Sequence, residues 1–230
     1  MRPAAKLIIA IDGPAGAGKS TIAARLAQRL GYLNIETGAM YRALALKAQE
    51  TGISLDDERA LAGLAAESRI ELEPTAEGNR VLLDGRDVSL RIRERDITEA
   101  ASRVSVYPEV RHWMVAQQRA LGLRGGVIME GRDIGTAVFP DADVKIFLDA
   151  AQHVRAERRI IQHEQKTGRR PQPEVVVADI QERDHRDSTR AVSPLFPAAD
   201  AVVIDSSGLG LDEVVQRVEE ILRQRLSRIG

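Results

Sequence analysis

The stretch Ile8-Ile9-Ala10-Ile11-Asp12-Gly13-Pro14-Ala15-Gly16-Ala17-Gly18-Lys19-Ser20-Thr21 decides the architecture. It opens as an apolar run that ends on an acid. A run of this length without polar alternation suits a strand covered on both faces of a parallel sheet. Gly13 to Ser20 then match G-x-x-x-x-G-K-[ST], and Ile22, Leu26 and Leu30 set out one stripe of a following helix. The glycines allow successive backbone N–H groups to curl around phosphate oxygens at the positive end of that helix. Gly13, Pro14, Ala15, Gly16, Ala17, Gly18, Lys19, Ser20 and Thr21 therefore form a candidate nucleotide-phosphate site. In such a site the lysine reaches the β- and γ-phosphates and the serine hydroxyl ligates Mg²⁺.

The same strand signature recurs along the chain. Tyr32 to Ile35 leads into Glu36-Thr37-Gly38, and Gly126 to Met129 leads into Glu130-Gly131. Val144 to Leu148 and Ala201 to Ile204 end at Asp149 and Asp205. Helical periodicity lies between these runs, and Leu211, Val214, Val215, Val218, Ile221 and Leu222 close the chain as an amphipathic helix. Alternation of this kind predicts an α/β fold with a central parallel sheet. One segment departs from it. Residues 68–95 alternate at period two, with turns expected at Gly78-Asn79 and Asp84-Gly85, which reads as a small antiparallel meander inserted in the core.

Composition narrows the class. The 230 residues carry 33 Lys plus Arg against 34 Asp plus Glu, a net charge of −1, which argues against a nucleic-acid binder. Aromatics at 3% leave few stacking platforms, and the absence of cysteine removes thiolate and disulfide chemistry. No apolar run reaches the roughly 18 residues that span a bilayer, and the first residues lack a secretory h-region, so a cytoplasmic protein without a membrane partner is expected. Only five lysines occur, leaving 28 arginines. Arginine is the better fork for phosphate.

Three further motifs bear on chemistry. Glu36-Thr37-Gly38-Ala39-Met40-Tyr41-Arg42 follows the second strand; composition alone favours a plain helix cap at Thr37 over a second phosphate site. Gly131-Arg132-Asp133-Ile134-Gly135-Thr136 follows another strand, where open α/β sheets bind ligands, although a turn with a surface ion pair is the plainer alternative. Arg183, Asp187 and Arg190 fall at i, i+4 and i+7 and are expected on one helical face, for which a solvated salt-bridged surface is the default. A GTPase is excluded, because neither Asn34 nor Asn79 begins N-K-x-D.

Together these motifs carry more than each alone. G-P-x-G-x-G-K-[ST], T-G-A-M-Y-R, G-R-D-I-G-T and R-D-x-x-R-A-V-x-P-L, in that order from about Ile8 to the last helix, resemble bacterial cytidylate kinases. The resemblance implies a P-loop NTPase three-layer fold with an antiparallel β insertion in the monophosphate-binding domain and a lid. The core would be about 1–67 and 126–230, the CMP-binding insertion about 68–125 and the lid about 155–173. It further implies transfer of the γ-phosphoryl group of ATP to CMP or dCMP with Mg²⁺, by a monomer. Lys19, Arg132 and Arg190 would then be catalytic. Thr37, Tyr41, Arg42, Arg132 and Arg190 would surround the acceptor phosphate. Ser102, Arg111 and Asp133 would read the cytosine, Arg183 and Asp187 would hold the ribose, and Arg155, Arg158 and Arg159 would close over ATP. Glu36 and Glu130 stand where that family usually has Asp, and Glu130 is a candidate for orienting Mg²⁺ through water. The alternatives are a kinase for another small acceptor, such as another nucleoside monophosphate or shikimate, and a non-catalytic nucleotide-binding module.

Overall fold

Eight strands form two sheets in the computed structural model, which describes residues 6–75 and 78–229. In chain order they are β1 (Ile8–Asp12), β2 (Leu33–Glu36), β3 (Ile70–Thr75), β4 (Gly78–Leu83), β5 (Arg86–Asp87), β6 (Val127–Gly131), β7 (Val144–Asp149) and β8 (Val202–Asp205). The helices are α1 (Lys19–Leu30), α2 (Thr37–Glu50), α3 (Glu58–Ala66), α4 (Arg95–Val104), α5 (Pro108–Gly122), α6 (Gln152–Thr167), α7 (Pro173–Thr189) and α8 (Leu211–Ile229). The five apolar runs of the sequence make one parallel sheet in the order β2-β6-β1-β7-β8. The three central strands are the most buried, which is why their sequences lack polar alternation.

Period two still divides the faces of the sheet. Ile9, Ile11, Ile128, Val144, Ile146 and Leu148 pack against Ile22 and Leu26 of α1 and Val214, Val218 and Leu222 of α8. Ala10, Ile35, Val127 and Met129 look the other way, onto α2 and a cluster that continues through α3, β3, β4, α4 and α5. Helix, sheet, helix is the three-layer α/β arrangement expected from the sequence. Leu30, expected on the buried stripe, is 40% exposed; the stripe of α1 is instead completed by Ala23 and Ala27.

The small sheet β3-β4-β5 is antiparallel. Asp84 at φ 51° and Gly85 at φ 82° turn β4 into β5, as expected of an Asp-Gly pair between strands. The other expected turn moves. Gly78 and Asn79 lie within β4, paired with Thr75 and Pro74, and the connection at 76–77 lies outside the described residues. Asn79 is taken from turn duty by a different contact: its side chain accepts from Glu36 N at 2.9 Å and donates to Asn34 O at 2.7 Å. That clamp joins the small sheet to the edge of the large one.

Helices α6 and α7 form an antiparallel pair with a core of its own, Ala156, Ile160, Val176 and Ile180. No helix among the described residues is long and apolar enough to cross a membrane.

Candidate active site

The register of the parallel sheet brings three strand ends together: Asp12 lies beside Gly131, and Glu36 beside Glu130. From β1 the chain turns sharply at Gly13, where a Cβ would come within 1.9 Å of the Leu148 carbonyl oxygen, so only glycine fits. Gly18, left-handed at φ 95°, delivers the chain into α1 without a side chain over the helix start. The first N–H groups of α1 are thus free to face an anion. Lys19 is buried and donates from Nζ to the Pro14 carbonyl at 2.7 Å. Burial, with Arg132 nearby, lowers its ammonium from 10.5 to about 7.

At the end of β6, Glu130 is buried and accepts from the Ser20 hydroxyl at 2.8 Å. Burial raises its pKa, against the opposing pull of Lys19. Thr37 does not cap α2; Glu36 precedes the helix, and the Thr37 hydroxyl donates to the Glu130 carbonyl at 2.8 Å. Asp12, which the sequence marked only as a strand end, accepts from Ile134 N at 2.8 Å and Gly135 N at 2.7 Å. It thereby pins the wide helical turn Ile134–Val138 that follows Arg132 and Asp133. Its burial pushes its pKa up to about 6.

Arginines and acids meet across this edge. Arg132 Nε donates to Asp187 Oδ2 at 2.7 Å, joining β6 to α7. Arg111, 1% exposed, donates to Asp133 Oδ2 at 2.5 Å and to the Ser105 carbonyl at 3.1 Å. Arg190 lies 3.7 Å from Asp133 and 3.5 Å from Asp187, and its Nε donates to the Ser193 carbonyl at 2.7 Å. It does so from an extended residue after α7, not from the helical face expected by spacing, because the helix stops at Thr189. Burial pushes the Asp187 pKa up, but Arg132, Arg183 and Arg190 together outweigh it and hold it below the ordinary value. Tyr41 is buried under Arg111, 5.7 Å from the ring centre; its hydroxyl has no partner among the described residues, and burial raises it to about 12.

The remaining arginines divide into two groups. Arg42 is held by Glu36 at 2.5 Å, and the second oxygen of Glu36 faces Arg93 at 3.5 Å. Arg183 and Arg159 make no hydrogen bond or ion pair among the described residues; burial and the charge of Arg132 bring Arg183 down to about 10. Unpaired cations held together in a cleft favour a polyanionic ligand. Arg155 and Arg158, expected over ATP, are otherwise engaged. Arg155 donates to the Ala15 carbonyl at 3.0 Å and pairs with Asp184 at 2.7 Å; Arg158 donates to the Ala17 carbonyl at 3.4 Å and to Ser206. They brace the phosphate loop from α6, because loop carbonyls with no intraloop partner lie within their reach. Arg159 is the member of that trio left free. Ser102, on α4, is buried and accepts from Arg186 of α7 at 3.3 Å, while Arg95 and Asp179 bridge the same two helices at 2.9 Å.

Asp12, Asn79, Asp184 and Arg186 were not among the expected site residues. For Asp12 a signal existed, a carboxylate closing a buried strand. The site as a whole offers a phosphate loop with a buried lysine on one side and an arginine-rich wall on the other. No group of three His, Asp or Glu residues fit to hold a metal occurs among the described residues.

The family model described as cytidylate kinase matches residues 9–224. A cytidylate kinase of Desulfitobacterium hafniense (strain Y51) is 48% identical over 220 residues, covering 96% of this chain and 94% of the relative. One of Geobacillus kaustophilus (strain HTA426) is 49% identical over 223 residues, covering 96% and 98%. Among solved structures, an uncharacterized protein from Eubacterium ventriosum aligns at a TM-score of 0.52 with 11% identity, covering 94% of this chain and 98% of that one, which shows a shared fold.

Proposed function

The chain belongs to the cytidylate kinase family, and on that premise we propose that it transfers the γ-phosphoryl group of ATP to CMP or dCMP, giving CDP or dCDP. The observation that carries the reading is the confrontation of a buried Lys19, on its phosphate loop, with the wall formed by Arg132, Arg183, Asp187 and Arg190. The family membership favours neither another acceptor nor a module without turnover.

The acceptor is a phosphate oxygen, already anionic at neutral pH, so no strong general base is needed. Two polyanions must instead be brought in line and the charge of the moving group offset. Lys19 and the loop amides hold the donor. Arg132 and Arg190, joined through Asp187, present their remaining N–H groups to the transferred phosphoryl. Thr37, Tyr41 and Arg42 flank the acceptor phosphate, and the unpartnered Tyr41 hydroxyl supports that role. Arg183 and Asp187 serve the ribose, and Ser102, Arg111 and Asp133 the base. Arg155 and Arg158 act on ATP through the loop they brace, and Arg159 acts directly.

The hydroxyl of Ser20 and the carboxylate of Glu130, 2.8 Å apart at the foot of the loop, make a hard-oxygen pair. That pair suits Mg²⁺, which takes few protein ligands beside phosphates and water. Ser20 would hold it directly and Glu130 through water; bound there, it neutralises charge on the β- and γ-phosphates. Glu130, one methylene longer than Asp, accepts from Ser20 itself.

On this reading the enzyme acts as a monomer, in the cytoplasm. The insertion is assigned to 68–125 and the lid to 155–173. Coupled detection of ADP across CMP, dCMP, UMP, AMP and shikimate tests the proposal. Turnover restricted to the first two, with weaker UMP, is expected; preference for any other acceptor overturns it.

A further inference from the structure

Arg186 of α7 reaches the nucleobase end of the cleft without belonging to the set just assigned. Its Nη1 lies 3.3 Å from the Oγ of Ser102 on α4, and its Nη2 pairs with Glu182 one turn earlier in α7. Ser102 is 5% exposed. Its hydroxyl accepts from Arg186 and donates to nothing among the described residues. A serine hydroxyl can donate or accept, whereas a guanidinium only donates. A permanent cation on one lone pair of Ser102 turns the O–H away from itself and weakens the oxygen as an acceptor for anything else. Arg111 Nε and the Tyr41 hydroxyl, unpartnered among the described residues, can also donate. Against these donors the base finds one carboxylate, Asp133, for its exocyclic amino group. The ring edge of cytosine offers N3 and O2, both acceptors; that of uracil places N3–H between two carbonyls.

We infer that Arg186 is a specificity-positioning residue, which makes Ser102 a donor and so favours CMP over UMP without itself touching the substrate. The inference rests on the CMP-kinase reading above. It assigns a task to a side chain whose sequence context suggested only a solvated helix face.

The test is kcat and KM for CMP and for UMP in the wild type, Arg186→Ala, Arg186→Lys, Ser102→Ala and the Arg186→Ala/Ser102→Ala double variant. Losing an oriented donor is expected to lower kcat/KM for CMP roughly tenfold, mainly through KM, and to shrink the CMP:UMP ratio by a similar factor. Arg186→Lys, which still donates, is expected to recover part of the ratio. In the Ser102→Ala background, removing Arg186 is expected to change the ratio no further. Arg186→Gln, which removes the charge and shortens the side chain less than Ala, supplies the same comparison if truncation prevents folding. Equal losses on both substrates, or a ratio change that persists without Ser102, would overturn the inference. A wild-type enzyme inactive on CMP would instead overturn the functional reading, so the two failures are separable.

Discussion

Lys19 turns back on its own loop: its ammonium donates to the Pro14 carbonyl at 2.7 Å, five residues earlier and inside the cradle it is built to serve. Burial beside Arg132 lowers its pKa from 10.5 to about 7, so above neutrality much of it is uncharged. A triphosphate would restore the charge. ATP binding at pH 8–9 is therefore expected to take up a proton and to weaken as pH rises. Titration calorimetry in buffers of different ionisation enthalpy measures this, and Lys19→Met is expected to abolish both the uptake and turnover. The same shift acts on folding: the unfolded lysine binds more protons between about pH 7 and 10.5, so this group's contribution to stability rises with pH across that window.

Among the described residues, Asp12 is the sole side-chain acceptor for Ile134 N and Gly135 N. An amide has one oxygen, so Asp12→Asn leaves one buried N–H against a donor. A loss of about 1–3 kcal/mol in urea unfolding is expected. A fall in kcat is expected with it, as the turn carrying Arg132 and Asp133 loosens. Unchanged stability would contradict the pinning role.

The Ser20–Glu130 pair gives a metal test. Chelation by EDTA is expected to stop turnover while CMP binding, followed by calorimetry, persists. Glu130→Gln should raise the Mg²⁺ concentration for half-maximal rate several-fold, since a neutral amide orients bound water less strongly. Equal Mg²⁺ dependence in the variant would remove Glu130 from that role.

Asp133 and Arg132 separate base from phosphate. Asp133→Asn can turn an N–H towards O4 of uracil, so the CMP:UMP ratio in kcat/KM should narrow from an expected preference of about 10²-fold. It also strands Arg111, its partner at 2.5 Å, and breaking a buried pair costs about 3–5 kcal/mol, so a lower Tm is expected. Arg132→Ala should lower both activities with little change in their ratio. Equal loss on both bases in Asp133→Asn would sink the base-reading assignment.

Much of the fold was legible because its strands are buried on both faces, so that β1, β6 and β7 carry their burial in an unbroken apolar run. The phosphate loop was legible because its eight residues act locally. Partners far apart in sequence left no comparable trace. Asn79 joins Asn34 and Glu36 across more than forty residues, and Arg186 meets Ser102 across eighty-four. Spacing placed Arg190 on a helix that ends one residue too soon for it. With 28 arginines in the chain, residue type alone cannot separate an arginine aimed at a ligand from one that props up a carbonyl, as Arg155 and Arg158 do.

The pair α6–α7 rests on four buried apolar residues, where the two large clusters each draw on many elements. The pair joins the remainder through polar contacts such as Arg132–Asp187 and Arg155–Ala15 rather than through a shared apolar core, so a lower local stability is expected of it. Its amides should exchange with solvent long before those of β1 or β6. At the exposed bend trypsin is expected to cut early after Arg169, since Arg170 precedes Pro171, and a ligand held by Arg159 and Arg183 is expected to slow both processes. Substrate occupancy is thereby written into the lifetime of a single peptide bond.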